Sequence, residues 1–255
     1  MPEIPDIEVF SYNLKEMFCG KKLLKLTFKN ANKLPDPQEE LVKHLEGAVL
    51  EDIYRSGKEF RLQFSNGTLL GMHLMLTGDI FPFEGENERK LTIIEFHFEG
   101  KSFALTDRLR NAHVKLNPVD KGGIDALSKE MNFKNLKSIL SRKTKVKDIL
   151  LNQDLIRGIG NGYSDEILWE AKISPYSSAA AIPDEKVKGL AKAIKKVLNN
   201  ATQQILEAYP GLTTGEVKDF LKVHRQTVSP TGMPVKVQAS GMRKTYYTDE
   251  QVLYK

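Results

Sequence analysis

"KVKDILLNQDLIRGIGNGYSDEILWEAKISP", residues 145–175, is the stretch on which the reading of this chain turns. Two apolar-periodic segments flank Gly158, Gly160 and Gly162, so the backbone turns tightly between helices and presents amide N–H groups where the second helix starts. That arrangement suits a phosphate. No strand is expected ahead of the glycines, which argues against a dinucleotide-binding fingerprint. Asn161 in the turn either offers its amide to a phosphate or caps the helix. Immediately upstream, Lys134 to Lys147 ("KNLKSILSRKTKVK") holds six Lys or Arg and no acid. Such a run is either a solvated helix face or a track for a polyanion.

Outward from this stretch the chain divides by character. After "LNPVDKGG" the pattern is helical, over "IDALSKEM", "NFKNLKSILSRK", "KVKDILLNQDLI", "NGYSDEILWEA" and "PDEKVKGLAKAIKKVLNNATQQILEA". Pro183 and the acids behind it mark the start of the last of these. Ahead of residue 117, short β-rich runs such as "FRLQF", "TLLGMHLML", "LTIIEFHF" and "SFALTD" alternate with "SNGT", "EGENE" and "FEGK", the signature of an antiparallel sandwich. Ile7, Phe10, Leu14 and Phe18 predict an amphipathic helix over 5–19, and "DPQEELVKHLEG" predicts a second. From residue 226 the composition returns to β type, as for an appended hairpin. The expected fold is α+β and multidomain: a β-sandwich with flanking helices over 1–117, a linker over 118–124, a helical domain over 125–225 and a hairpin over 226–255.

With 255 residues, 40% of them apolar and 28% charged, the chain is long enough for two cores. No run of 18 apolar residues occurs and no basic stretch precedes an apolar one at the start, so neither a membrane span nor a secretory signal is expected. A cytoplasmic location follows, on the nucleoid if the source is bacterial. The single cysteine, Cys19, excludes an internal disulfide and a cysteine-built zinc site, and is expected as buried filler. A net charge of +5 permits a polyanionic partner. The five histidines, His44, His73, His97, His113 and His224, show no metal-ligand spacing.

The glycine-bearing stretch resembles the helix-two-turns-helix element of the formamidopyrimidine-DNA glycosylase and endonuclease VIII family. The opening "PEIPDIE" is similar to that family's N-terminal signature, although Pro5 and the acids after it are also ordinary helix-start chemistry. Further matches fall in order: "RSGKEF" resembles the turn that presents the family's lysine, "HLMLTG" the loop that enters the duplex, "TDRLRNA" the loop facing the opposite strand, and "GMRKTYY" the tip of the C-terminal finger.

What the resemblance implies is specific. With Met1 removed, Pro2 would be a secondary amine that attacks C1′ of a damaged nucleoside. The iminium so formed labilises the C2′ proton, and the 3′ phosphate is eliminated. Glu3 would be the general acid at the sugar, and Lys58 would assist proton transfer and touch phosphate. Asn161 and Lys147 would hold backbone phosphates, Arg243 the phosphates beside the lesion, and His73 would contact DNA from its loop. Leu76 and Arg110 would fill the hole left by the rotated nucleotide.

The sequence departs from the family pattern in several places. The finger region has no cysteine, so a zincless finger is expected, held by packing of Val235, Val237, Tyr246, Tyr247 and Val252, with no metal and no other cofactor. Leu109 and Asn111 stand where an arginine and an aromatic are usual, and Asp6 replaces a glutamate. The expected activity is a bifunctional glycosylase and abasic-site lyase acting on damaged duplex DNA as a monomer, the duplex lying in a basic cleft between the domains. The alternatives are a non-catalytic binder of damaged or abasic DNA, against which the intact Pro2, Glu3 and Lys58 weigh, and a structural RNA-binding protein, in which the N-terminal pair has no role.

Overall fold

The computed structural model describes residues 1–120 and 122–255. The chain forms two compact units, Met1–Asp120 with Ile205–Glu216, and Lys121–Gln204 with Val217–Lys255. Of the linker expected over 118–124, Lys121 lies outside the described residues. Residues 205–216 group with the first unit, although their sequence continues the helical segment.

In the first unit α1 spans Ile4–Phe18 because its start and its buried face agree. Pro5 occupies the first turn, and Glu3 is the N-cap, its N–H donating to Asp6 Oδ2 at 2.9 Å in a capping box. Ile7, Phe10, Leu14 and Phe18 are all buried, as the 3.6-residue period requires. There follow β1 (Leu23–Phe28), α2 (Gln38–Leu45), β2 (Leu50–Ser56), β3 (Glu59–Phe64), β4 (Leu69–His73), β5 (Gly78–Phe83), β6 (Thr92–Phe98), β7 (Ser102–Asp107) and β8 (His113–Leu116). They make two antiparallel four-stranded sheets, ordered β1-β6-β7-β5 and β2-β3-β4-β8. Phe18, Phe96, Phe98 and Phe103 form an aromatic cluster, with ring centroids 4.6 Å apart for Phe96 and Phe103 and 5.1 Å for Phe18 and Phe103. Each ring contributes about 1.5–3 kcal/mol by burial. Cys19 is half-buried rather than core, and burial pushes its thiol up to about 11.

The second unit runs β9 (Ile124–Asp125), α3 (Phe133–Ile139), α4 (Val146–Leu151), β10 (Ile156–Arg157), α5 (Asn161–Glu170), α6 (Asp184–Ala208), β11 (Lys236–Ser240) and β12 (Arg243–Tyr247). Two sequence expectations are corrected here. "IDALSKEM" is not helical: Ile124 and Asp125 pair in parallel with Ile156 and Arg157, and turns follow. "KVKDILLNQDLI" is helical only to Leu151, so a short strand does precede the glycines. The cause is local side-chain competition with the helix. Asn152 Oδ1 accepts from Asp154 N at 2.9 Å, and Gln153 clasps the turn, its Nε2 donating to Leu151 O and Ile159 O while its Oε1 accepts from Gly158 N at 2.9 Å.

The β11-β12 hairpin forms as expected, but its anchoring is not mainly apolar. Val237 and Val252 are about half exposed. Only the tyrosines pack on aromatic neighbours, Tyr246 against His224 and Tyr247 against Tyr176, with centroids 4.7 and 5.3 Å apart. Polar cross-links do the rest. Glu250 accepts from Trp169 Nε1 at 3.0 Å, Lys172 Nζ at 2.9 Å, Thr231 Oγ1 at 2.9 Å and Thr248 Oγ1 at 3.0 Å. The Lys172 bond, assisted by the other three, holds its carboxyl down at about 2.

Candidate active site

Three of the residues singled out in the sequence come together in the first unit. Pro2 and Glu3 are buried at the start of α1. Lys58 lies in the β2-β3 turn directly after Gly57, which adopts φ 61°, a left-handed conformation that favours glycine. Arg55 ties that turn to the helix: its Nε donates to Glu8 Oε1 at 2.7 Å and its Nη1 to Gly57 O at 3.0 Å. Burial pushes the Lys58 ammonium below the ordinary lysine value, and the nearby Glu3 carboxylate offsets part of that shift. A lysine so tuned is suited to giving and taking a proton. The amine of Met1 pairs with Glu216. Next to that residue, Gly215 N donates to Asp79 Oδ1 at 2.8 Å. Burial raises the Asp79 carboxyl, and the Gly215 bond, Arg89 and the N-terminal charge oppose the rise.

Two loops of the same unit are built under local strain. Met75 and Arg110 are non-glycine residues with φ 55° and 54°, one in each loop. Asp107 joins them, accepting from the Thr77 hydroxyl of one loop and from Leu109 N, Asn111 N and Ala112 N of the other, the last three at 3.1, 2.6 and 2.8 Å. Burial would raise the Asp107 carboxyl, but these bonds together hold it below the ordinary value. Gly78 is required at the base of the first loop, since a Cβ there would lie 2.2 Å from Leu74 O. Leu76 is left 62% exposed and Leu109 46%, with Arg110 exposed beside it. An exposed leucine raised on a pinned, strained loop has no packing role in the unit and is available to a partner. His73 is half-buried, its Nδ1 accepting from Met75 N at 2.9 Å.

In the second unit Asn161 is the first residue of α5, and its Nδ2 donates to Lys244 O at 3.0 Å. It is thereby tied to the strand that begins with the exposed Arg243. Lys147 is a correction. Its Nζ is not at the surface but donates to Asp165 Oδ1 at 2.6 Å and Thr245 Oγ1 at 2.9 Å, with the side chain 7% exposed. Asp165 is itself buried and needs a cation, which Lys147 on the adjoining α4 supplies. His224 Nδ1 at 2.8 Å and Tyr246 N at 3.2 Å complete the ring of partners around Asp165. Neighbouring Glu166 accepts three backbone bonds, from Lys222, Val223 and His224 at 2.8–2.9 Å, and burial still raises its carboxyl.

Sequence reasoning missed Asp79, Asp107, Asp165, Glu166, Glu216 and Glu250. One signal was available. The consecutive acids in "YSDEILW" stand beside Tyr163, Ile167, Leu168 and Trp169 on one short helix, so they must be either exposed together or paired inside. Among the described residues no group of three or more His, Cys, Asp or Glu is arranged to hold a metal ion.

Comparison with known proteins bears on both units. Residues 1–114 match the model of the formamidopyrimidine-DNA glycosylase N-terminal domain, and residues 123–208 that of the formamidopyrimidine-DNA glycosylase H2TH domain. The formamidopyrimidine-DNA glycosylase of Mycoplasma genitalium is 31% identical over 253 residues, covering 90% of this chain and 87% of the relative. That of Ligilactobacillus salivarius is 26% identical and covers 97% of both. Among solved structures, MutM in complex with DNA containing carbocyclic 8-oxo-G superposes with a TM-score of 0.87 at 23% identity over 97% of this chain and 98% of that one. Lactococcus lactis Fpg with DNA containing an abasic site gives 0.86 at 21% identity over 96% and 97%. These structural likenesses establish the fold.

Proposed function

Since this chain belongs to the formamidopyrimidine-DNA glycosylase family, we propose that it is a DNA glycosylase and abasic-site lyase of base-excision repair, acting on oxidised bases in duplex DNA. Removal of Met1 frees the Pro2 nitrogen as a secondary amine. Its lone pair attacks C1′ of the damaged nucleotide, the base leaves with the glycosidic electron pair, and Glu3 protonates the sugar ring oxygen as the ring opens. The product is an iminium joining Pro2 to the sugar. Loss of the C2′ proton feeds electrons toward the iminium nitrogen and expels the 3′ phosphate, and hydrolysis returns the amine. Lys58 carries protons in these steps and touches the neighbouring phosphate.

The nucleotide must first leave the stack, which costs a few kcal/mol. Leu76 enters the vacated space with Arg110 beside it, and His73 contacts the duplex from the same loop. Asn161 and Arg243 hold backbone phosphates and set the register without reading sequence. Lys147 is not assigned to these contacts, because its buried ammonium is bonded to Asp165 and Thr245. Residues 1–117 are assigned the chemistry, 125–225 the grip on DNA and 226–255 the finger. Among the described residues no helix is long and apolar enough to cross a membrane. We place the protein in the cytoplasm, on the nucleoid if its source is bacterial.

The observation that carries this reading is the convergence of Pro2, Glu3 and a lysine of lowered basicity at one helix start. Incubation with abasic duplex and borohydride is expected to yield a covalent adduct, most of which disappears in Pro2→Gly. Tight binding without adduct or strand cleavage would favour a non-catalytic binder of damaged DNA instead. Intact-mass measurement establishes whether Met1 has been removed.

A further inference from the structure

Two imidazoles stand side by side at the loop-bearing end of the β2-β3-β4-β8 sheet. His73 and His113 are register partners on β4 and β8, and their rings stack with centroids 5.8 Å apart and planes 5° from parallel. Glu59 is the register partner of His73 on its other side, so the three side chains make a row on one face. Leu76 and Arg110, both exposed, belong to the loops that leave this end.

Their hydrogen bonds dictate opposite tautomers. His73 Nδ1 lies 2.9 Å from Met75 N, a donor, so this nitrogen is the acceptor and the proton of the neutral ring sits on Nε2. His113 Nδ1 lies 3.0 Å from Asn111 O, which only accepts, so here Nδ1 carries the proton and Nε2 of the neutral ring holds a lone pair. A phosphate oxygen also only accepts. Neutral His113 therefore has nothing to offer a phosphate, whereas its imidazolium offers Nε2–H and keeps the bond to Asn111.

The charged groups around the pair come from every neighbouring segment. Glu59 on β3 is engaged by Arg61, Lys33 Nζ sits 3.3 Å from Asn111 Oδ1, and Asp107 takes the N–H groups of Asn111 and Ala112. Arg110 precedes the pair and Lys115 follows it on β8, both exposed. Among the described residues no carboxylate is hydrogen-bonded to His113.

We propose that His113 is a backbone-phosphate ligand of the duplex that engages only as the imidazolium, taking one proton from solvent when DNA binds. This rests on the reading of the chain as a duplex-binding glycosylase. It adds to that reading a contact that strengthens on acidification and weakens on alkalinisation.

The test is the affinity of the full-length protein for duplex containing a stable abasic-site analogue, between about pH 6 and about pH 8, for wild type, His113→Gln and His113→Lys. One linked proton makes the wild-type Kd rise by up to about tenfold per pH unit on the alkaline side. His113→Gln, uncharged at every pH tested, is expected to lose that slope whatever affinity its amide N–H groups supply. His113→Lys, cationic at every pH tested, is expected to restore the acid-side affinity without the slope, which a purely structural role for the ring would not permit. Calorimetry in two buffers of different ionisation enthalpy should show proton uptake in the wild type alone. Duplex binding and borohydride trapping with equal pH slopes in wild type and His113→Gln would overturn the inference while leaving the glycosylase reading intact. Absence of any duplex binding by the wild type would overturn both.

Discussion

Lys147 Nζ donates to Asp165 Oδ1 at 2.6 Å, and both side chains are buried. A lysine in a basic run beside the glycine-bearing turn is thus paired inside the unit. The pair also reaches the finger, since Thr245 bonds the lysine and Tyr246 N the aspartate.

This relationship predicts a dissociation between stability and salt dependence. Lys147→Met leaves Asp165 buried with one partner fewer, and breaking a buried pair costs about 3–5 kcal/mol. A residue that touched phosphate would instead lower the slope of log K against log salt by about one when removed. Denaturant unfolding should show the stability loss, and titrations over a salt series should return the wild-type slope.

Leu76 behaves in the opposite way. Being 62% exposed, it contributes little to the folded unit, and Leu76→Ala should alter stability by no more than about 0.5 kcal/mol. Affinity for abasic duplex should nevertheless fall about tenfold, equivalent to roughly 1.4 kcal/mol of lost wedge contact. Unfolding and binding measured on the same preparation separate the two effects.

Asp107 is the common anchor of both loops. Asp107→Ala removes the acceptor for several donors at once and should cost about 3 kcal/mol or more, with loss of duplex binding from both loops together. The sign with pH follows from its lowered carboxyl. The stabilisation is fully present above the unfolded-state value and is lost as pH falls through the folded one, so the difference between wild type and variant should shrink in acid.

The finger should be acid-sensitive through Glu250. Its carboxyl is held at about 2 against an ordinary 4.5, so the stabilisation it supplies is complete above about pH 4.5 and disappears as pH falls toward 2. Acid unfolding of wild type and Glu250→Gln, followed by fluorescence of Trp169, should show curves that differ near neutrality and converge in strong acid. Curves that differ equally at all pH values would show that the carboxylate is not the cross-link.

Elements with a clean period were legible in the sequence. The Ile7, Phe10, Leu14 and Phe18 stripe gives α1, and the turn-punctuated β-rich runs give the two sheets. What failed were segments where side chains compete with the backbone: Asn152 and Gln153 end α4 early, and Ile124 pairs with Ile156 across 32 positions, a contact that no local pattern announces. The candidate site divides the same way. Pro2, Glu3 and Lys58, which the family resemblance marks one by one, lie together, whereas the burial of Lys147 was not legible because charge alone does not say which way a lysine turns. Asp165 and Glu250, which bond the finger, depend on partners far along the chain. Their roles emerge only once helix and hairpin are packed.

The most direct test of the central claim is to trap the enzyme on abasic duplex with borohydride, digest it, and locate the DNA-linked residue by mass spectrometry. The account predicts a single linkage at the nitrogen of Pro2, on chains that have lost Met1. Linkage at Lys58 or another lysine, or an adduct formed equally well by chains that retain Met1, would contradict it.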